Sequence, residues 1–132
     1  MALGSEMLEC RSLTNAEVDM SDLKSELLAK HCEACRPGTP ALSDSEVMER
    51  QKAVTGWEYR NKELVRVFKF KNYYETMAFV NAIAYVAHRE DHHPDMEVGY
   101  NTCKVRFSTH SVGGLSENDF IMAAKVDGLQ RS

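Results

Sequence analysis

The chain has 132 residues, of which 43% are hydrophobic and 27% are charged. These proportions are typical of one globular domain with a hydrophobic core, and they exclude disordered and fibrous proteins. The formal net charge of −4 argues against a binder of nucleic acid or of anionic membranes, because both roles need a basic surface.

The sequence carries no sign of a membrane span or an export signal. No apolar run approaches the roughly 20 residues that cross a bilayer. The first residues, MALGSEMLECRSLTNAE, lack a basic region followed by an apolar stretch. We therefore expect a cytoplasmic protein, and in that reducing compartment the cysteines at positions 10, 32, 35 and 103 are expected to be thiols.

Residues 1–41 are predicted to form a polar N-terminal extension. It ends in CRPGTPAL, where two prolines and a glycine interrupt regular structure. Thr14–Lys30 is predicted to hold a short helix, because Thr14 and Glu17 match a capping box and three leucines share one helical face. The domain itself is predicted to span residues 42–132.

The predicted domain begins with a helix and a β-hairpin. Ser43 and Glu46 match a second capping box, which predicts a helix over about 44–54 that is ended by Gly56. The run WEYRNKELVRVFKF then gives two short β-rich stretches, and the polar turn at Arg60–Glu63 between them predicts a hairpin.

The longest predicted helix starts at Asn72, where Glu75 completes the capping signal. A wide apolar stripe along it predicts that it is mostly buried. Pro94 disfavours helical geometry at His93, so this helix is expected to end at about residues 89–92.

Two strands and a helix complete the predicted fold. DMEVGYN and CKVRFSTH alternate around a turn at Asn101–Thr102, and the last helix opens with Ser116 and Asp119. The order helix, strand, strand, helix, strand, strand, helix predicts an α+β fold. We expect a four-stranded antiparallel sheet with three helices packed on one face and the other face open.

Histidines concentrate at the end of the longest predicted helix. HREDHHPD, residues 88–95, holds three of the five histidines, and His110 follows the last predicted strand. Imidazole has an unperturbed pKa of about 6.5, so it can act as acid or base near neutral pH. A single histidine at a helix end often only caps carbonyl groups, which is the alternative for each one taken alone.

The run HREDHHPDMEVGYNTCKVRFSTHSVGGLSENDF resembles the pterin-4a-carbinolamine dehydratases. That family has a polar residue, three spacers, His-His-Pro, an aromatic residue, then Ser-Thr-His, and an Asp after Leu-Ser. This chain supplies the pattern in order as His88, His92, His93, Pro94, Tyr100, Ser108, Thr109, His110, Leu115, Ser116 and Asp119. The resemblance covers about residues 44–127. Two positions depart from it, since many members have Glu in place of His88 and Trp in place of Met96.

The resemblance implies an enzyme, a hydro-lyase that dehydrates 4a-hydroxytetrahydropterin to quinonoid dihydropterin. It implies that His92, His93 and His110 form the catalytic site. Such a reaction needs an acid for the leaving hydroxyl and a base for the ring nitrogen proton. Which histidine takes which role stays open. No metal or organic cofactor is needed, because the pterin stabilises the developing iminium.

The same resemblance implies substrate-binding or orienting roles for His88, Asp91, Ser108, Thr109 and Asp119. Asp119 also fits the capping box with Ser116, so a structural role is equally well supported for it. His92 is expected in the last helical turn, where the helix dipole favours its protonated form. Alternation along the last strand is expected to direct His110 away from the face that the helices cover.

The resemblance also implies partners. They are a pterin substrate, a second copy of the chain in a dimer or tetramer, and an aromatic amino-acid hydroxylase whose pterin cofactor the reaction recycles. We expect the protein to bind neither nucleic acid nor a membrane.

Two other classes of function stay open. A metal-binding protein is one, because His88 and His92 share a helix face and HCEAC adds His31, Cys32 and Cys35, although a second CxxC is missing. A non-catalytic dimerisation module is the other, because members of the resembled family in animals also pair with a transcription factor.

Overall fold

The computed structural model describes residues 20–130 as four helices and one four-stranded sheet. The helices are α1 (Met20–Ala29), α2 (Asp44–Gln51), α3 (Tyr73–Glu90) and α4 (Glu117–Leu129), and the strands are β1 (Glu58–Arg60), β2 (Glu63–Lys69), β3 (Asp95–Val98) and β4 (Thr102–Phe107). The strand order is β1-β2-β4-β3, and every pairing is antiparallel. The predicted α+β class and sheet are confirmed.

The prediction of three helices is wrong, because α1 adds a fourth ahead of α2. This helix lies inside the predicted stretch Thr14–Lys30, whose first six residues fall outside the described part of the chain. It packs against α4, and Leu27 is buried in the common core. The Lys125 ammonium on α4 also donates to the carbonyl of Leu28 at 2.9 Å.

Helix α4 explains why a fourth helix is needed. Its apolar residues point both toward the sheet and away from it. If only the sheet covered α4, the apolar residues on the outer side would be exposed to water. Helix α1 packs on this central helix from outside. The buried residues of α4 are Asp119, Phe120, Ile121, Met122, Ala123, Ala124 and Val126.

Helix α2 ends at Gln51, earlier than the predicted 44–54. The capping box at its start is present, with the hydroxyl of Ser43 accepting from the N–H of Glu46 at 3.2 Å. Beyond Gln51 the chain continues in tight turns, in which the N–H of Val54 donates to the carbonyl of Gln51. These turns bring Val54 and Trp57 into the core, where both are almost fully buried.

The first hairpin turns through Asn61 and Lys62, whose φ angles are 53° and 63°. Two successive residues with positive φ are the geometry of a type I′ turn, which matches the twist of the flanking strands. The predicted turn at Arg60–Glu63 is therefore in place. In the second hairpin the turn lies at residues 99–101, so Thr102 already belongs to β4.

The core lies between the sheet and α3 and α4. Alternate residues of β4, from Cys103 to Phe107, point to it and are fully buried. The opposite face of the sheet carries charged side chains, including Arg106, which forms ion pairs with Glu63 and Glu97. Among residues 20–130, no helix is long and apolar enough to cross a membrane.

One buried carboxylate ties the far end of α4 to the rest of the domain. Oδ1 of Asp127 accepts from the indole of Trp57 and from the guanidinium of Arg66, each at 2.9 Å. Its Oδ2 pairs with the Lys24 ammonium on α1 at 3.3 Å. Asp127 thus joins the segment before β1, strand β2 and α1 to the central helix.

Candidate active site

The end of α3 directs His92 toward α4. Asp91 takes the left-handed conformation, with φ 55° and ψ 41°, and the main-chain N–H groups of Asp91 and His92 both donate to the carbonyl of Ala87. Such a left-handed residue is a common way for a helix to end. The helix ends at Glu90. His92 therefore lies two residues beyond the helix, and not in its last turn as the sequence predicted.

His92 forms a pair with a buried carboxylate. Its Nε2 lies 2.7 Å from Oδ1 of Asp119. Asp119 is fully buried, whereas the His92 side chain is 14% exposed. The imidazole also stacks on the ring of Phe107, with 6.1 Å between centroids and 10° between planes.

Two further donors hold the second oxygen of Asp119. Its Oδ2 accepts from the hydroxyl of Thr109 at 2.7 Å and from the N–H of Ser116 at 2.9 Å. The hydroxyls of Thr109 and Ser116 are 2.7 Å apart. The bond from Ser116 belongs to the predicted capping box, so one carboxylate both caps α4 and orients His92.

The His92–Asp119 pair defines what His92 can do. Because Nε2 faces the carboxylate, Nδ1 is the ring nitrogen left for proton exchange with a substrate. This arrangement supports general acid or general base chemistry near neutral pH.

The other predicted site residues lie nearer the surface. His88, His93 and His110 are exposed, and Ser108 is half-buried. Strand β4 ends at Phe107 and His110 starts a single 3₁₀ turn, so strand alternation does not reach His110. Ser108, Thr109 and His110 line a cavity of about 250 Å³.

A larger cavity of about 410 Å³ lies beside His92. Asp91, His92 and Thr109 line it from one side, and residues 32–35 line it from the other. Its volume falls within the roughly 300–1,000 Å³ of small-molecule sites. Thr109 lines both cavities, so they are neighbours.

Glu90 was not predicted as a site residue. Its carboxylate accepts from the N–H of Cys32 at 2.8 Å, contacts Nδ1 of His31 at 3.0 Å and lies 3.8 Å from the Lys125 ammonium. Burial raises the pKa of Glu90, but these three groups together hold it below its ordinary value. The helical spacing of Glu90 from the buried Ala87 and Ile83 was the signal that placed it inward.

The two cysteines of HCEAC are thiols, and each is half-buried. The Sγ of Cys32 lies 3.7 Å from the carbonyl of Asn118. Burial, with smaller effects from the charges of Glu90 and Asp119, raises the pKa of Cys32 to about 12. Within residues 20–130, no group of three or more His, Cys, Asp or Glu side chains is arranged to hold a metal ion.

Bacterial proteins similar to this chain are identical to it at about half of the aligned residues. A protein of Nitrosospira multiformis is 54% identical over 104 residues, covering 79% of this chain and 92% of its own. One of Nitrosomonas europaea is 55% identical over 108 residues, covering 81% of this chain and 96% of its own. Both carry the provisional name pterin-4-alpha-carbinolamine dehydratase.

Two solved structures are similar to this fold. A transcriptional coactivator/pterin dehydratase from Brucella melitensis has a TM-score of 0.65 and 34% identity, covering 67% of this chain and 97% of its own. A pterin dehydratase-like protein identified as a RuBisCO assembly factor in the alpha-carboxysome has a TM-score of 0.50 and 26% identity, covering 56% and 88%.

A sequence profile of a protein family matches most of the chain. The family is described as pterin 4 alpha carbinolamine dehydratase, and the match spans residues 40–129. This range contains the whole sheet, helices α2 to α4 and the His92–Asp119 pair. The chain therefore belongs to the pterin 4 alpha carbinolamine dehydratase family.

Proposed function

We propose that the protein dehydrates 4a-hydroxytetrahydropterin to quinonoid dihydropterin and water by general acid–base catalysis with histidine. The observation that carries this proposal is the His92–Asp119 pair, a partly exposed imidazole held by a fully buried carboxylate beside a cavity. Imidazole is the side chain best suited to general acid and general base catalysis near neutral pH.

The reaction has two proton transfers. The acid protonates the 4a-hydroxyl group as the carbon–oxygen bond breaks, so the oxygen leaves as water. The base removes the proton of the ring nitrogen, whose electron pair forms the new carbon–nitrogen double bond. We assign these transfers to His92 and His110, with either order of roles, and we assign to His93 the positioning of the ring.

Two kinds of contact complete the proposed site. Thr109 hydrogen-bonds Asp119 and lines both cavities, which suits a residue that orients the site. Asp91 lines the larger cavity and Ser108 the smaller, which suits contact with the polar edges of a pterin. For His88, which is exposed on α3, only the family pattern supports such a role.

The biological role that we propose is recycling of the pterin cofactor of an aromatic amino-acid hydroxylase. Hydroxylation leaves the cofactor as the 4a-carbinolamine, and dehydration returns it to a form that can be reduced. The support for this role is membership of the family.

Stopped-flow absorbance with enzymatically generated carbinolamine tests the activity. We expect the wild-type protein to speed the loss of the carbinolamine well beyond its spontaneous rate, in proportion to protein concentration. A control with heat-denatured protein corrects for buffer catalysis. A wild-type rate equal to the spontaneous rate contradicts the proposal.

Binding to a protein partner without catalysis is the second candidate function. It is favoured by the names of the two structural neighbours, a transcriptional coactivator/pterin dehydratase and a RuBisCO assembly factor. A purely binding protein is expected to tolerate loss of the His92 and His110 side chains, whereas a dehydratase is not. The stopped-flow experiment separates the two candidates.

We also propose that the protein is at least a homodimer. Strand β3 pairs only with β4 among the described strands, and exposed edges of this kind are commonly paired or blocked. Val98 at its end is 43% exposed and Tyr100 beyond it is 65% exposed, which suits burial against a second copy.

Light scattering at low micromolar concentration, with and without reductant, is expected to give at least twice the subunit mass of 14.9 kDa in both conditions. The reason is that the proposed interface uses strand edges and no thiols. A mass near one subunit in both conditions contradicts the dimer. A dimer that disappears on reduction contradicts the thiol-independent interface.

A further inference from the structure

The motif HCEAC has no part in the function proposed above, yet it lies at the site. The segment Cys32–Cys35 lines the 410 Å³ cavity opposite His92. It belongs to the part of the chain that precedes the predicted domain, and the family profile begins only at residue 40.

Asn118 fixes this segment through its main chain. Its Oδ1 accepts from the N–H of Glu33 at 3.0 Å, and its Nδ2 donates to the carbonyl of Glu33 at 2.7 Å. The side-chain amide thus pairs with both main-chain groups of one residue, as a neighbouring strand would. Two such bonds set the orientation of the segment as well as its distance.

Glu90 fixes the same segment from the other side. Its carboxylate accepts the N–H of Cys32 and contacts His31. Glu90 precedes His92 by two residues, and Asn118 directly precedes Asp119. The ends of α3 and α4 that bring His92 to Asp119 therefore also place the segment, so the two sides of the cavity are held by one framework.

The segment presents a mostly uncharged surface to the cavity, with Glu33 as its one charged residue. Cys32, Ala34 and Cys35 contribute two thiols and a methyl group, and the Cys32 thiol stays protonated at neutral pH. On the opposite side, the His92 ring lies nearly parallel to the ring of Phe107. A planar heteroaromatic ring is the class of ligand that fits between such surfaces, because its faces are weakly polar and its edges carry the hydrogen-bonding groups.

We propose that the Cys32–Cys35 segment is the second wall of the substrate site, against which one face of the pterin ring packs. Glu90 and Asn118, which also line the cavity, are then positioning residues that hold this wall in place. The proposal rests on the proposed function for the identity of the ligand. It predicts that the wall contributes to substrate affinity more than to proton transfer.

Steady-state kinetics of Asn118→Ala and Glu90→Gln test the wall. We expect KM for the carbinolamine to rise roughly tenfold while kcat changes less than about threefold, because an interaction shared by ground state and transition state is lost. Glu117→Gln is the matched control, since Glu117 precedes Asn118 on α4 and pairs with Lys30 outside this cavity. It is expected to leave both constants unchanged. A fall in kcat with KM unchanged in both wall variants overturns the proposal.

Alkylation of the wild-type protein gives a readout that needs no catalysis and no variant. Iodoacetamide modification of Cys35, followed by peptide mass spectrometry, is expected to slow at least fivefold when 7,8-dihydrobiopterin is present at saturation. Adenosine, a bicyclic heteroaromatic of similar size, is the control and is expected to give no protection. Equal rates with and without 7,8-dihydrobiopterin overturn the wall.

The two experiments separate this inference from the proposed function. Protection of Cys35 in a protein that leaves the carbinolamine at its spontaneous rate refutes the dehydratase and supports the wall. Dehydratase activity without protection, and with wild-type KM in Asn118→Ala, supports the dehydratase and refutes the wall.

Discussion

Replacement of His92 or His110 by alanine is expected to lower the turnover number by roughly 10²–10⁴-fold, the usual scale for loss of a general acid or base. In each variant one of the two proton transfers has no side chain to perform it. His93→Ala is expected to act mainly on substrate affinity, because we assign that residue to positioning of the ring.

Stopped-flow kinetics under saturating carbinolamine measure all three variants, and urea unfolding shows whether each is folded. His92→Ala is expected to lose stability as well, by about 1–3 kcal/mol, because the buried carboxylate of Asp119 loses a hydrogen-bond partner. If His93→Ala proves the most damaging to turnover, the assignment of roles among the histidines is wrong.

Asp119→Asn is expected to lower turnover by roughly 10²-fold or more while the protein stays folded. An amide has one accepting oxygen, so it cannot serve His92, Thr109 and Ser116 as both carboxylate oxygens do. The carboxylate oxygen that holds Nε2 of His92 is also lost, so the ring is no longer fixed in the same orientation. The free energy of unfolding is expected to fall by about 1–3 kcal/mol.

Asp127→Asn is the matched control on the same helix. Asp127 is also nearly buried and accepts hydrogen bonds from Trp57 and Arg66, but it does not line the cavity beside His92. This variant is expected to lose stability to a similar extent and to keep its turnover within about twofold. Equal losses of turnover in both variants mean that Asp119 acts only through stability.

The elements that are specified locally could be predicted from the sequence. The capping signals at Ser43 and Asn72 and the polar turn at residues 60–63 depend on neighbouring residues alone, and each lies where it was expected. Helix boundaries differ from the prediction where they depend on burial. Helix α2 ends at Gln51, and Val54 lies beyond it in the core.

The packing of α1 on the domain could not be predicted in the same way, although a helix within Thr14–Lys30 was predicted. Nothing within α1 shows that it packs on α4, because that contact depends on α4 being apolar on more than one side. The boundary that we placed before residue 42 stays a prediction. The buried Leu27 shows that the described residues before it share the core with the domain.

The site was predictable only as a set of residues. The family pattern named His92, Thr109 and Asp119, which the fold brings into hydrogen-bond contact, but the roles of these and of the other histidines stay predictions. Strand alternation does not decide the direction of His110, because β4 ends at Phe107 and His110 already belongs to a 3₁₀ turn that ends at the left-handed Gly113, with φ 73°. Glu90 and Asn118 were missed because the residues of the HCEAC motif to which they hydrogen-bond lie more than 50 positions away in sequence.

The double use of Asp119 has a consequence for how the site is prepared for reaction. The same bond that caps α4 aligns the carboxylate, so its direction is set when the chain folds and does not wait for a substrate. Such preorganised charge needs little rearrangement at the moment of proton transfer, which is where catalytic sites gain much of their advantage over water. The same double use makes this helix end sensitive to change, because a substitution that removes both side-chain oxygens of Asp119 removes the cap together with the partner of His92.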